Sequence, residues 1–192
     1  MHGRETRGLN PKLKKTVVLV GMMGAGKSAV GRALATALNV PFRDSDAEIE
    51  KAANMTIAEI FARDGEAFFR RKESQVIERL LDARPAVLST GGGAYMAEEN
   101  RRMITEKGVA VWLDADLKVL WGRVRHKDTR PLLRTPDPLA TLSEIYERRV
   151  PIYALADLAV KSEQGLSVDA MARKVIETLK STRPDVVGES CR

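Results

Sequence analysis

Gly21-Met-Met-Gly-Ala-Gly26-Lys27-Ser28 is the stretch from which the fold of this chain can be read. It follows TVVLVG, Thr16 to Gly21, a short β-branched run that reads as a buried strand stopping at glycine. It precedes Val30, Ala33, Leu34, Ala37 and Leu38, apolar residues at helical spacing within about Ser28 to Leu38. Strand, glycine-rich turn and helix in that order are the setting of the phosphate-cradle pattern G-x-x-x-x-G-K-[ST]. Glycine lets backbone N–H groups turn inward around phosphate oxygens. The helix that follows offers unpaired N–H groups and the positive end of its dipole. Lys27 is placed to reach the β- and γ-phosphates of a nucleotide, and the Ser28 hydroxyl to ligate Mg2+. The cradle does not by itself separate a kinase from a GTPase or a motor.

The rest of the chain narrows the choice. Its 192 residues suit one domain, and 44% apolar with 30% charged residues is ordinary for a soluble globular protein. The net charge of +6 admits nucleic acid, a membrane surface or small anions as partners. Aromatic residues make up only 5%, too few to suggest a base-stacking surface. We therefore expect a solvated basic surface with one anion-binding cleft, and neither nucleic acid nor membrane as partner. The single Cys191 permits no disulfide within the chain and no CxxC metal pair, which fits a reducing compartment such as the cytoplasm. No run approaches the roughly 18 apolar residues of a membrane span, and no coiled-coil heptad argues against a monomer. Residues 1–14 read as a flexible basic arm, 15–182 as the domain, and 183–192 as a flexible tail.

Short apolar strands alternate with helices along the domain. Further strands are expected from Phe42, at AVLST (Ala86 to Thr90), at VAVWL (Val109 to Leu113) and at LAVK (Leu158 to Lys161). Helices are expected over about Glu66 to Leu81, with Phe69, Val76, Ile77 and Leu80 buried, then Glu98 to Glu106, Asp116 to Arg125, Leu139 toward Tyr153, and Val168 to Leu179. Thr56 and Glu59 have capping-box spacing ahead of Ile60 and Phe61. The pattern predicts an α/β fold in three layers, a five-stranded parallel sheet with helices on both faces. Ligands of such sheets bind beyond the carboxyl ends of the strands. Gly21, Asp44 and Gly91 all fall just past strand ends. The Pro-bearing, Arg-rich loop His126 to Pro138 is the segment suited to a mobile lid.

Several residues near those strand ends have two readings. In FRDSD, Asp44 suits a Mg2+ ion held through water and Asp46 suits a substrate hydroxyl. The plainer reading makes Asp46 the N-cap of a helix over Ala47 to Ala53 and leaves the other acid exposed. Arg70 and Arg71 in FFRRKE fit an anion site or a solvated basic helix face. The triplet Gly91-Gly92-Gly93 fits a ligand turn or an ordinary one.

Taken in order, GMMGAGKS, FRDSD, GEAFFRRKE, STGGGA, RPLL and RRVPIY followed by AD resemble the shikimate kinase family, small members of the nucleoside-monophosphate-kinase-like P-loop group. The resemblance runs from about Thr16 to Leu179. It implies phosphorylation of the 3-hydroxyl of shikimate by ATP with Mg2+, a step toward chorismate and the aromatic amino acids. It also implies roles by residue. Gly24, Ala25, Gly26, Lys27, Ser28 and Ala29 would wrap the ATP phosphates, with Ser28 and Asp44 serving the metal. Asp46 would hold the shikimate hydroxyls, Arg70 and Arg149 its carboxylate, and the Gly92 backbone would approach the substrate. Lys27, Asp46 and Arg130 would form the catalytic set, Arg130 folding over ATP from the lid. Adenine would meet a loop placed near Lys161 to Gly165. Another small-molecule P-loop kinase, of gluconate or nucleotide type, is the alternative within the same fold.

Overall fold

The computed structural model describes residues 12–127 and 130–188. Two short strands open the described chain, β1 (Lys12–Leu13) and β2 (Thr16–Val20), followed by α1 (Lys27–Leu38), β3 (Phe42–Asp44), α2 (Ser45–Ala53) and α3 (Ile57–Asp82). Next come β4 (Val87–Ser89), α4 (Glu98–Lys107), β5 (Gly108–Ala115), α5 (Leu117–Val124) and α6 (Pro138–Tyr153). The last elements are β6 (Leu158–Ser162), α7 (Val168–Thr182) and β7 (Val187–Gly188).

Five strands form one parallel sheet in the order β3-β4-β2-β5-β6. Val17, Val18, Leu19 and Val20 in the central strand are fully buried, because helices cover both faces of the sheet. Each such side chain contributes about 1.5–3 kcal/mol by leaving water, so β2 anchors whatever follows it. Leu19 pairs with Ser89 and Asp44 also pairs with Ser89. The three strands therefore end at one level, and the segments after them share one edge.

Local signals place the helices. The capping box at Thr56 is formed: Thr56 Oγ1 accepts from Glu59 N (3.2 Å), and Glu59 Oε2 accepts from Thr56 N (2.7 Å). The expected helix from Glu66 is the second half of α3. It is split from the first half at Gly65, whose φ of 81° only glycine adopts readily.

The chain ends depart from expectation. Lys12–Leu13 and Val187–Gly188 pair antiparallel as a second, two-stranded sheet, and Lys14 N donates to Val186 O at 2.8 Å. Leu13, Val186 and Val187 are buried. The described parts of the expected arm and tail are thus paired with each other, because the apolar pair Val186-Val187 finds a partner at the opposite end of the chain. Residues 1–11 and 189–192, with Cys191, lie outside the described residues, as do 128 and 129 within the expected lid. The rest of that loop holds a short 3-10 turn at Pro131–Leu133 between α5 and α6.

Candidate active site

The cradle forms at the edge where the strands end. Gly24 and Gly26 adopt φ of 81° and 91°, the left-handed region that the turn requires. Gly26 caps α1 without any side-chain hydrogen bond, so the first-turn N–H groups remain open to an anion. The Lys27 ammonium is drawn over the turn, donating to Gly21 O (2.8 Å) and Met22 O (3.0 Å). Burial, and then the positive charge of Arg130, lower its pKa to about 8 against partial compensation from Asp46.

Asp44 and Asp46 divide their tasks. Asp44, and not Asp46, is the N-cap of α2: its Oδ1 accepts from Asp46 N (3.0 Å) and Ala47 N (3.2 Å). The N-cap reading of Asp46 is corrected on this point, since helical backbone begins at Ser45 and places Asp46 in the first turn. The other Asp44 oxygen accepts from Ser28 Oγ at 3.2 Å, and Ser89 Oγ lies 3.5 Å from the same hydroxyl. These are hard oxygen donors of the kind that hold a small divalent cation beside phosphates. Asp46 is left without the capping duty. Burial first, and then the charges of Asp44 and Glu73, raise its pKa to about 6. An acid pushed up beside a lysine pushed down is the pattern of a reactive site.

The triple glycine explains the opposite wall. A Cβ at Gly91 would lie 2.8 Å from Asp46 Oδ1, one at Gly92 2.9 Å from Arg149 Nη1, and one at Gly93 2.6 Å from Arg70 Nη2. Three consecutive missing side chains admit three charged heads from α2, α6 and α3. Arg70 is held by Glu73 (2.8 Å) and Glu66 (3.5 Å), and Glu73 is only 1% exposed. Desolvation raises the Glu73 pKa despite the guanidinium against it. The adjacent Arg71 instead points outward over Phe68, 5.8 Å from the ring centroid. The basic pair is therefore split between site and solvent.

One cleft of about 550 Å³ is lined by Gly24, Ala25, Gly26, Lys27, Ser28, Ala29, Asp44, Asp46, Gly92 and Arg130. Arg70 and Arg149 do not line it; Arg149 adjoins it at Gly92, and Arg70 lies one residue further along the turn, against Gly93. Arg130 Nε is buried with no hydrogen-bond partner among the described residues, so it is available to a ligand in the cleft. Of the expected adenine segment, Ser162 alone reaches the lining; Leu166, Ser167, Val168 and Met171 form the rest of that wall. Sequence reading also missed Arg123, which donates to Gly24 O (3.1 Å) and Ser162 Oγ (3.2 Å) and so ties the cradle to β6. Nothing in its local sequence, WGRVR, distinguishes it from a surface arginine.

A cradle at the end of β2, a cation-rich cleft and an adjoining cluster of one acid and two guanidiniums define a P-loop phosphotransferase acting on a small anionic acceptor. The family model described as shikimate kinase matches residues 23–180. The chain belongs to the shikimate kinase family. It is 69% identical over 181 residues to a shikimate kinase of Cereibacter sphaeroides, covering 94% of this chain and 90% of that protein. It is also 69% identical over 175 residues to one of Ruegeria pomeroyi, covering 91% and 89%. A solved shikimate kinase from Acinetobacter baumannii in complex with shikimate superposes with a TM-score of 0.82 at 35% identity, over 88% of this chain and 94% of that one.

Proposed function

We propose that the protein transfers the γ-phosphate of ATP to the 3-hydroxyl of shikimate, giving ADP and shikimate 3-phosphate. The observation that carries this reading is the Gly91–Gly93 turn, which gathers Asp46, Arg149 and Arg70 at the mouth of a phosphate cradle. Shikimate offers one carboxylate and three hydroxyls. Planar guanidiniums match the carboxylate as two-pronged donors, and the lone carboxylate matches the hydroxyls.

The residues divide the work. Arg70 and Arg149 hold the acceptor carboxylate and set its orientation. Asp46 accepts a hydrogen bond from the 3-hydroxyl, points its oxygen at the γ-phosphorus, and takes the proton as the new O–P bond forms and the bond to ADP breaks. Lys27 and Arg130 stabilise charge on the transferring group. Ser28 directly, and Asp44 through water, would hold Mg2+, which when bound neutralises charge between the β- and γ-phosphates. The segment 126–138 closes over the nucleotide and keeps out water that would otherwise hydrolyse ATP. The wall from Ser162 to Met171 receives the adenine.

The assay is ADP release with shikimate, gluconate, a nucleoside monophosphate or no acceptor. Turnover that depends on shikimate is expected. Preference for gluconate or a nucleotide would move the chain to another small-molecule kinase activity. ATPase stimulated by nucleic acid and indifferent to shikimate would remove the kinase reading altogether. All these groups come from one chain, so a monomer suffices. The cytoplasm, which the lone cysteine suits, is the compartment we assign. No described helix is long and apolar enough to cross a membrane.

A further inference from the structure

The last residue of α6 is a tyrosine with no solvent exposure, although it stands next to a polar cleft. Tyr153 donates from its hydroxyl to the Gly92 carbonyl at 2.5 Å. Its ring stacks on Trp112 of β5 at 6.3 Å between centroids, inclined by 27°. Arg149 lies four residues earlier on the same helix, a spacing that puts two side chains on one face. Burial raises the pKa of this phenol, and the nearby Arg149 guanidinium opposes the rise. Both heads converge on Gly92, where a Cβ would lie 2.9 Å from Arg149 Nη1 and 3.7 Å from the Tyr153 oxygen.

We propose that Tyr153 is a positioning residue for the acceptor: its hydroxyl joins the Gly92 carbonyl to the Arg149 guanidinium, so that the carboxylate clamp and the glycine turn are set as one unit. The proposal rests on the reading of Arg149 as a carboxylate clamp. A phenylalanine would fill the same space and keep the ring stack, so packing does not account for the hydroxyl. A buried hydroxyl carries a desolvation cost unless it is bonded, and here it is bonded to the Gly92 carbonyl, beside the Arg149 head that meets the same glycine. A phenol both donates and accepts, which lets one atom connect a carbonyl to a cation. Without it, the Gly92 carbonyl loses a donor, and Arg149, on a long side chain, is free to sample other rotamers.

The test is Tyr153→Phe in the full chain, with shikimate and ATP affinities measured separately by calorimetry beside steady-state kinetics and a melting curve. Loss of one buried hydrogen bond is expected to weaken shikimate binding about tenfold. ATP affinity should stay within about twofold, and kcat at saturating shikimate should change less than KM. Combining Tyr153→Phe with Arg149→Lys should give much less than the product of the single losses, because both act on one contact. Trp112→Leu, which loosens the ring and keeps the hydroxyl, should produce the same shikimate-selective loss on a smaller scale. It decides the matter if Tyr153→Phe does not fold. Unchanged shikimate affinity, equal weakening of both ligands, or losses that simply multiply would overturn the proposal. Wild-type protein that does not bind shikimate at all would instead overturn the clamp reading on which it rests.

Discussion

Asp46→Asn separates what this site costs the fold from what it gives the chemistry. The Asp46 carboxyl is raised from an ordinary 3.8 to about 6 by burial and by the neighbouring charges of Asp44 and Glu73. A raised pKa means that the folded chain holds the proton more tightly than the unfolded chain does. Below about pH 4 both states are protonated, and the group does not oppose folding. Between about pH 4 and 6 the unfolded chain ionises first, so stability falls as pH rises. Above about pH 6 the full cost is present. The difference between 3.8 and about 6, at about 1.4 kcal/mol per pH unit, sets an upper limit near 3 kcal/mol. Asp46 is partly exposed, and solvent screening reduces this to about 1–2 kcal/mol. Asparagine removes the charge and keeps the shape, and the α2 cap is untouched because it belongs to Asp44. The variant should therefore melt about 2–8 °C higher than the parent at pH 7.5, with the gap closing toward pH 4. Its kcat/KM for shikimate should nonetheless fall roughly 10²-fold or more, the scale of a positioned acid–base group. Paired melting curves at the two pH values and an ADP-release assay measure both quantities. Normal turnover, or a lower Tm at pH 7.5, would refute the assignment of Asp46 as a strained carboxylate that serves the acceptor.

Three further outcomes are expected. The kcat/KM profile should be bell-shaped, rising through about pH 6 as Asp46 ionises and falling through about pH 8 as Lys27 loses its proton; a flat profile between pH 5 and 9 would detach both groups from the reaction. Gly93→Ala should lower the melting temperature by several degrees, because its φ of −88° suits alanine but the new Cβ displaces the Arg70 guanidinium from the buried Glu73 carboxylate. The displaced guanidinium should weaken shikimate binding about tenfold while ATP affinity holds, and a titration with each ligand tests the pair. Arg130→Ala should lower kcat roughly 10²-fold with shikimate affinity nearly unchanged, since its partner is charge on the transferring phosphate; an unchanged kcat would remove it from the catalytic set.

What the sequence determined by itself was local in origin. The cradle is eight consecutive residues whose hydrogen-bonding groups lie within one turn of one another, so Gly21 to Ser28 could be read without knowing what packs on them. Strand and helix alternation follows from apolar periodicity over a few residues, and the Thr56–Glu59 box spans a single helical turn. Those signals suffice for a parallel sheet, for its ligand edge and, with the ordered motifs, for the family. The tertiary structure decided what depends on contacts between distant positions. It gave the cap to Asp44 and freed Asp46, because the backbone turns helical two residues earlier than the pattern suggests. It turned Arg70 to the site and Arg71 to solvent, which no pair of adjacent arginines announces. It supplied the reason for three glycines in a row, since each admits a charged head from a different helix and no helix is visible from the turn itself. Arg123, Tyr153 and the pairing of Leu13 with Val187 became legible only when packing brought together residues that local periodicity cannot relate.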